Sequence, residues 1–323
     1  MKKTISIGLL ITCWVACGSD RQAQTDDASL IDGSITVSDS RAVDGSLPDA
    51  ELPLDALLHP DLLAQAKPDL GKPTLFVNLG DSIAAGYGVP SDLAFRSLLF
   101  QNVDSRYPAY AKQDLSSRYP GIQIYDRALA GSTSDELRWQ VAAVPANTTG
   151  GTLVSISIGG NDLLSDVNAM VVPEAVKNKG QEVIANIKHV IDHFSDAKNY
   201  PGKATFLIFT VYDPTDHMGT IPKEVKVIDL CEQVKAFGPL IGTTLAAHLR
   251  LFNNELIQFA KQRSNVLVVD THAGFLGHGY HYADTQSTFY DANDPSLWFS
   301  YDCLHPNIRG HHEIRRIIWD LLN

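Results

Sequence analysis

The sequence predicts an α/β protein built on one parallel sheet, and three observations carry that prediction. Five short runs rich in branched apolar residues recur, at 75–79, 122–125, 152–158, 204–212 and 265–269. Helix-patterned segments separate them, one of which (173–198) sets Val176, Val183, Ile184, Ile187, Val190 and Ile191 on a single face. The first and third runs stop at glycine-rich turns, as buried parallel strands do. Strands alternating with helices pack as a sheet covered on both faces.

Taken in order, the first run leads straight into Gly80-Asp81-Ser82, followed by two alanines, Gly86 and Gly88. Helical stretches are expected around 92–102 and 108–119. The second strand opens into a loop of small residues, 127–133, after which Ser134 is the expected cap of a helix through Val144. The third strand ends in Gly159-Gly160-Asn161-Asp162. Two long irregular segments, 213–238 and 271–303, flank the helix at 239–263 and the fifth strand. A closing helix over 307–322 buries Ile314, Ile317, Ile318 and Leu321. Irregular segments of that length inside a domain usually carry function.

The 323 residues, 44% hydrophobic and 20% charged, suffice for one large domain with a tail. A net charge of -11 and the lack of a basic stripe exclude a nucleic-acid partner, which needs clustered Lys and Arg. Residues 1–16 hold Lys2, Lys3 and then a short apolar run, the pattern of a signal peptide. The following Val15-Ala16-Cys17 resembles a bacterial lipoprotein signal, with Trp14 where Leu is usual. That resemblance implies lipid on Cys17; the alternative is an ordinary signal peptide with an incidental cysteine. From 18 to 72 the chain carries eleven acidic and four basic residues and no aromatic one, which reads as a solvated linker. The expected organisation is a signal peptide (1–16), an anchor cysteine with acidic linker (17–72) and a folded domain (73–323). The protein is thus expected to be exported and tethered to the cell envelope.

Ser82, Gly131, Asn161, Asp302 and His305 all follow strands or lie in the last loop, on one edge of the sheet. Open α/β sheets bind their ligands at that edge. These residue types suit acyl transfer. A serine hydroxyl needs a base to become nucleophilic, an imidazole titrates near neutrality, and a carboxylate fixes the imidazole tautomer. Asp302 and His305 are three apart, so one helical turn would set both on one face. The backbone N–H groups of Ser82 and Gly131 and the amide of Asn161 are candidate donors to an oxyanion.

Four blocks carry a resemblance to the SGNH hydrolases, the GDSL lipase/esterase superfamily. They are Gly80-Asp81-Ser82, Gly131 within Ala128-Leu129-Ala130-Gly131-Ser132, Gly159-Gly160-Asn161-Asp162, and Asp302-Cys303-Leu304-His305-Pro306-Asn307. Ile83 replaces the Leu of the family name, and Asp126 stands where relatives often have Asn. The resemblance implies a three-layer α/β/α sandwich with a flavodoxin-like five-stranded parallel sheet. It also implies Ser82 as nucleophile, His305 as base, Asp302 as its acid, and Gly131 and Asn161 as oxyanion donors, with neither metal nor cofactor. The expected reaction is hydrolysis of a carboxylic ester, whether of a lipid, a short acyl group or an acetylated sugar. A non-catalytic surface protein binding glycans or lipids on the same fold is the alternative.

The G-x-S-x-G elbow of other serine hydrolases is absent. His272, His278 and His281 lie among glycines without a metal-ligating spacing and read as loop histidines. Two cysteines beyond the N-terminal region, Cys231 and Cys303, are expected to bond to each other in an oxidising compartment. Aromatic residues of the last loop (Phe275, Tyr280, Tyr282, Phe289, Tyr290, Trp298, Phe299, Tyr301) are read equally as pocket wall and as core.

Overall fold

The computed structural model describes residues 65, 67–165, 172–227 and 239–323, with only the backbone of 239–243. The signal segment, Cys17, most of the acidic tail and Cys231 lie outside the described residues.

Five strands form one fully parallel sheet: β1 (Pro73–Gly80), β2 (Gln123–Asp126), β3 (Gly151–Ser157), β4 (Ala204–Phe209) and β5 (Val266–Val269). Their order is β2-β1-β3-β4-β5, the flavodoxin-like arrangement, so the strand order reverses between β1 and β3. The register pairs Gly80 with Ser157, bringing the ends of these two strands together.

Alternation along β1 sorts its side chains into two cores. Leu75, Val77 and Leu79 face one layer, with Val183, Ile187 and Val190 of α6 (Pro173–Phe194), Phe252 and Leu256 of α7 (Pro239–Lys261), and Leu137 and Val141 of α4 (Leu137–Ala142). Phe76 faces the other, with Phe95 and Leu99 of α2 (Phe95–Phe100), Leu115 of α3 (Leu115–Arg118), Phe275 of α8 (Thr271–Phe275), and Ile314 and Ile318 of α9 (Ile308–Leu322). The result is the predicted three-layer α/β/α sandwich. Each fully buried Phe or Leu is worth roughly 1.5–3 kcal/mol.

Several expected elements differ in detail. The helix expected over 92–102 is a 3-10 turn, Ser91–Leu93, followed by α2. That over 108–119 is likewise Pro108–Tyr110 and α3. Ser134 does not cap the next helix. Thr133 does, through a reciprocal capping box with Glu136, while Ser134 is buried and turned inward. The closing helix starts one residue later than expected, with Asn307 as its cap accepting from the N–H of Gly310.

Contacts with the domain begin ahead of Pro73. The Gln65 carboxamide pairs with both the N–H (2.8 Å) and the C=O (3.0 Å) of Val268, covering part of the open edge of β5. Leu70 is buried in the second core. Among the described residues no helix is long and apolar enough to cross a membrane.

Candidate active site

The site begins where β1 stops. Gly80 has φ +129°, and a Cβ there would lie 1.9 Å from the carbonyl oxygen of Ser157. Only glycine fits, because the chain must turn while still touching β3. The N–H of Asp81 then donates to that same Ser157 oxygen (3.0 Å). Asp81 caps α1 (Ser82–Ala85), its carboxylate accepting from the N–H of Ile83 at 2.9 Å. Burial pushes this carboxyl up to about 7, against the pull of that N–H. Ser82 thus opens a helix at the end of a central strand, and its side chain is only partly covered.

His305 meets it from the other end of the sequence. His305 Nε2 lies 2.9 Å from Ser82 Oγ, and His305 Nδ1 lies 2.8 Å from Asp302 Oδ2. A carboxylate only accepts, so Nδ1 carries the proton and Nε2 is free to accept from the serine hydroxyl. Asp302 Oδ1 also accepts from Ser300 Oγ (2.6 Å) and from the N–H groups of Leu304 (3.1 Å) and His305 (3.0 Å). Burial opposes ionisation of Asp302, but the bonds from the His305 ring, the Ser300 hydroxyl and the His305 backbone outweigh it. The carboxyl is held well below the ordinary carboxylate range.

The helical turn expected between Asp302 and His305 does not form. Residues 301–305 make an irregular turn, in which Cys303 adopts the left-handed region at φ 59°. Two forces favour this. Pro306 disfavours helical backbone at His305, and the Asp302 side chain takes the N–H groups that a helix would need. The side chains still meet, by a different backbone.

Gly131 and Asn161 complete the edge. Gly131 has φ +87°, and a Cβ there would meet nothing within 4 Å, so its face is open. Asn161 is the second residue of the short helix α5 (Gly160–Leu164), and its Nδ2 donates to the carbonyl of Ser132 at 2.8 Å. An amide nitrogen carries two hydrogens, so this bond aims the group and leaves a second donor. Asp162 stitches the same two loops more tightly, accepting from Ser134 Oγ (2.6 Å) and from the Ser134 N–H (3.0 and 3.1 Å). Asn186 Nδ2 donates in turn to Ser134 Oγ (2.9 Å).

Three supporting roles escaped the sequence reading, although Tyr280 itself is among the aromatic residues read as pocket wall or core. Gln140 brackets Gly80, receiving its N–H at 2.8 Å and donating to its C=O at 2.9 Å. Its signal was a polar residue at the i+3 position of a helix face shared with Leu137 and Val141. Tyr212 donates to the carbonyl of Leu304 (2.6 Å), and Tyr280 to that of Ser300 (2.5 Å). Asp126, where relatives often have Asn, receives Asn78 Nδ2 (2.8 Å) and pairs with Arg96.

The expected loop histidines point to separate partners. His272 meets His217 (Nε2 to Nε2, 3.0 Å), His281 meets the carbonyl of Thr220 (2.8 Å), and His278 stacks on Trp298 (3.5 Å between centroids). Phe275, Trp298 and Phe299 belong to the second core, so packing accounts for them, as it does for the ring of Tyr280 but not for its hydroxyl. Tyr87, Leu129 and Tyr301, beside the site residues in sequence, are exposed. The Tyr87 ring lies 4.6 Å from that of His305.

The structure is thus that of an α/β protein with a flavodoxin-like parallel sheet and a serine, an imidazole and a carboxylate in successive contact at its carboxyl edge. Residues 79–313 match the GDSL-like lipase/acylhydrolase family, and the chain belongs to that family and is a carboxylic ester hydrolase. Among solved structures it is similar to an extracellular lipase of Streptomyces rimosus (17% identity, 76% of this chain and 98% of that one, TM-score 0.46). It is also similar to a phospholipase A1 of Streptomyces albidoflavus (16%, 76% and 98%, 0.45) and to an acetylxylan esterase of Geobacillus stearothermophilus (18%, 79% and 96%, 0.43). Among curated proteins nothing matches.

Proposed function

We propose that this esterase works through a Ser82 acyl-enzyme. His305 Nε2 takes the hydroxyl proton as Ser82 Oγ attacks the ester carbonyl, and Asp302 stabilises the imidazolium that forms. The negative charge on the carbonyl oxygen falls to the N–H groups of Ser82 and Gly131 and to Asn161 Nδ2. Collapse of the tetrahedral intermediate expels the alcohol, which receives the proton from His305. Water then repeats the sequence to release the acid. The observation that carries this reading is the unbroken pair of contacts Ser82 Oγ–His305 Nε2–Nδ1–Asp302, at 2.9 and 2.8 Å.

The exposed side chains of Tyr87, Leu129 and Tyr301 favour an ester with an apolar acyl group over a fully polar substrate. We further propose export of the protein with lipid on Cys17, and a bond between Cys231 and Cys303 that steadies the turn carrying Asp302 and His305. Thiol titration of the unfolded, unreduced protein tests that bond.

The main reading is tested by labelling with a fluorophosphonate and by turnover of aryl esters graded from acetyl to palmitoyl. Labelling lost in Ser82→Ala, with turnover lost beside it, is the expected result. A wild-type protein that takes no label would instead point to a non-catalytic binding protein.

A further inference from the structure

The turn carrying Asp302 and His305 belongs to no helix and no named strand, so the backbone groups that Asp302 and Ser300 do not engage need partners from elsewhere. Two phenols supply several of them. The Tyr280 hydroxyl donates to the carbonyl of Ser300 (2.5 Å) and accepts from the N–H of Cys303 (3.0 Å), spanning Asp302 from one side to the other. The Tyr212 hydroxyl donates to the carbonyl of Leu304 (2.6 Å), one residue before His305. Cys303 is the residue held at φ 59°, a conformation that side chains with a Cβ rarely adopt unless their surroundings impose it.

Both rings are themselves fixed. Tyr212 stacks on Phe275 (5.3 Å between centroids) and meets Phe299 edge-on (5.0 Å), while Tyr280 is buried against Phe299 (6.3 Å). Tyr280 is anchored further by its own N–H on the carbonyl of Pro214 (2.8 Å). Beside it, the Asp216 carboxylate gathers the N–H groups of Gly277 (2.9 Å), Gly279 (3.0 Å) and His281 (3.1 Å). The two irregular segments of the chain are thereby tied to each other before they reach the turn.

We propose that Tyr280 and Tyr212 are positioning residues, whose hydroxyls hold the 300–304 backbone so that His305 meets Ser82 and Asp302 together. The proposal rests on the serine-esterase reading. Neither hydroxyl is assigned a contact with substrate. Each acts on the imidazole through the main chain, and a displacement of the order of 1 Å there costs up to about 10²-fold in rate.

Tyr280→Phe and Tyr212→Phe remove one oxygen each and keep the rings. Tyr200→Phe is the control, because its hydroxyl also reaches main-chain carbonyls, those of Val144 (3.3 Å) and Pro145 (3.2 Å), on the opposite face of the sheet. In the first two variants kcat should fall about 10-fold to 10²-fold with KM within about twofold, and fluorophosphonate labelling should slow in proportion. Their low-field proton resonance from the His305–Asp302 bond should shift or broaden, a signal independent of turnover. Tyr200→Phe should lower thermal stability alone. Normal kcat, labelling and proton resonance in both variants would overturn the proposal, as would an equal loss in Tyr200→Phe. If Tyr280→Phe does not fold, Tyr212→Phe decides by itself. Failure of the wild type to label would sink the serine-esterase reading instead, and the proton resonance would still report on the turn.

Discussion

The carboxamide of Gln140 closes on both backbone groups of Gly80, at 2.8 and 2.9 Å, two residues before Ser82. β2 ends at Asp126, and beyond it the Leu129 N–H still reaches the Gly80 carbonyl (3.0 Å), but among the described residues no main-chain acceptor on that side meets the Gly80 N–H. Gln140 supplies that acceptor, and its Nε2 also reaches Ser132 Oγ (3.3 Å) in the Gly131 loop. Gln140→Ala would leave the Gly80 N–H unsatisfied, at a cost of about 1–3 kcal/mol. Gln140→Glu would be worse at neutral pH, since a carboxylate faces the Gly80 carbonyl. Urea midpoints and kcat on an aryl ester should both fall in the order wild type, Ala, Glu; a Glu variant as stable as wild type would refute this account.

Asp302→Asn preserves shape and changes only which atoms donate. An amide presents a hydrogen where His305 Nδ1–H now donates, so the ring must take the other tautomer and lose its acceptor toward Ser82. On the proposed mechanism kcat drops by about 10³–10⁴-fold with little change in KM. A loss below tenfold, measured on the same aryl ester, would mean that the carboxylate does not orient the base.

Gly80→Ala tests the turn itself. With φ +129° and a Cβ 1.9 Å from a main-chain oxygen of β3, neither the new side chain nor the strand can move aside cheaply. The variant should fail to accumulate as soluble protein, whereas Gly88→Ala, whose Cβ meets nothing within 4 Å, should be soluble and only mildly strained.

Stability should also depend on pH through Asp81. Its carboxyl is raised to about 7 by burial, whereas an unfolded aspartate releases its proton near pH 4. Between about pH 4 and 7 the folded state therefore binds more protons than the unfolded one, and unfolding free energy falls as pH rises. Asp216, raised to about 7 by burial despite its three N–H donors, acts with the same sign. Asp302 acts oppositely: its lowered pKa contributes stability above about pH 4 that is lost as pH falls through the folded value. Asp81→Asn keeps an oxygen for the Ile83 N–H and removes one of the raised carboxyls. Its urea midpoint should vary less than that of the wild type from pH 4 to 7 and exceed it at pH 8. Parallel curves would show that Asp81 does not hold the proton.

Much of this was legible in the sequence, for a physical reason. Buried parallel strands must be apolar on both faces, so the runs that became β1, β3, β4 and β5 stand out against their loops. Glycines that no other residue can replace, such as Gly80, mark where those strands end. The side chains of Ser82, Asp302 and His305 meet as the spacing suggested, although the turn between the last two is not helical. What was hidden is the support. Gln140, Tyr212, Tyr280 and Asp216 act on backbone groups far away in sequence, and such bonds leave no period or motif. The cap at Thr133 was missed in favour of Ser134 because the two look alike locally. Only the burial of Asp162 decides which of them turns inward.

Ser82, Gly131 and Asn161 all precede the end of α5 in the chain, but His305 comes 223 residues after Ser82. β5 is complete at Val269, well ahead of it. A chain ending there would possess every strand of the sheet and a serine with no base. On the proposed mechanism, ester turnover is then a fidelity signal for synthesis. It counts only molecules synthesised past His305 with the second core packed, since Phe275, Ile314 and Ile318 of that core also lie beyond β5.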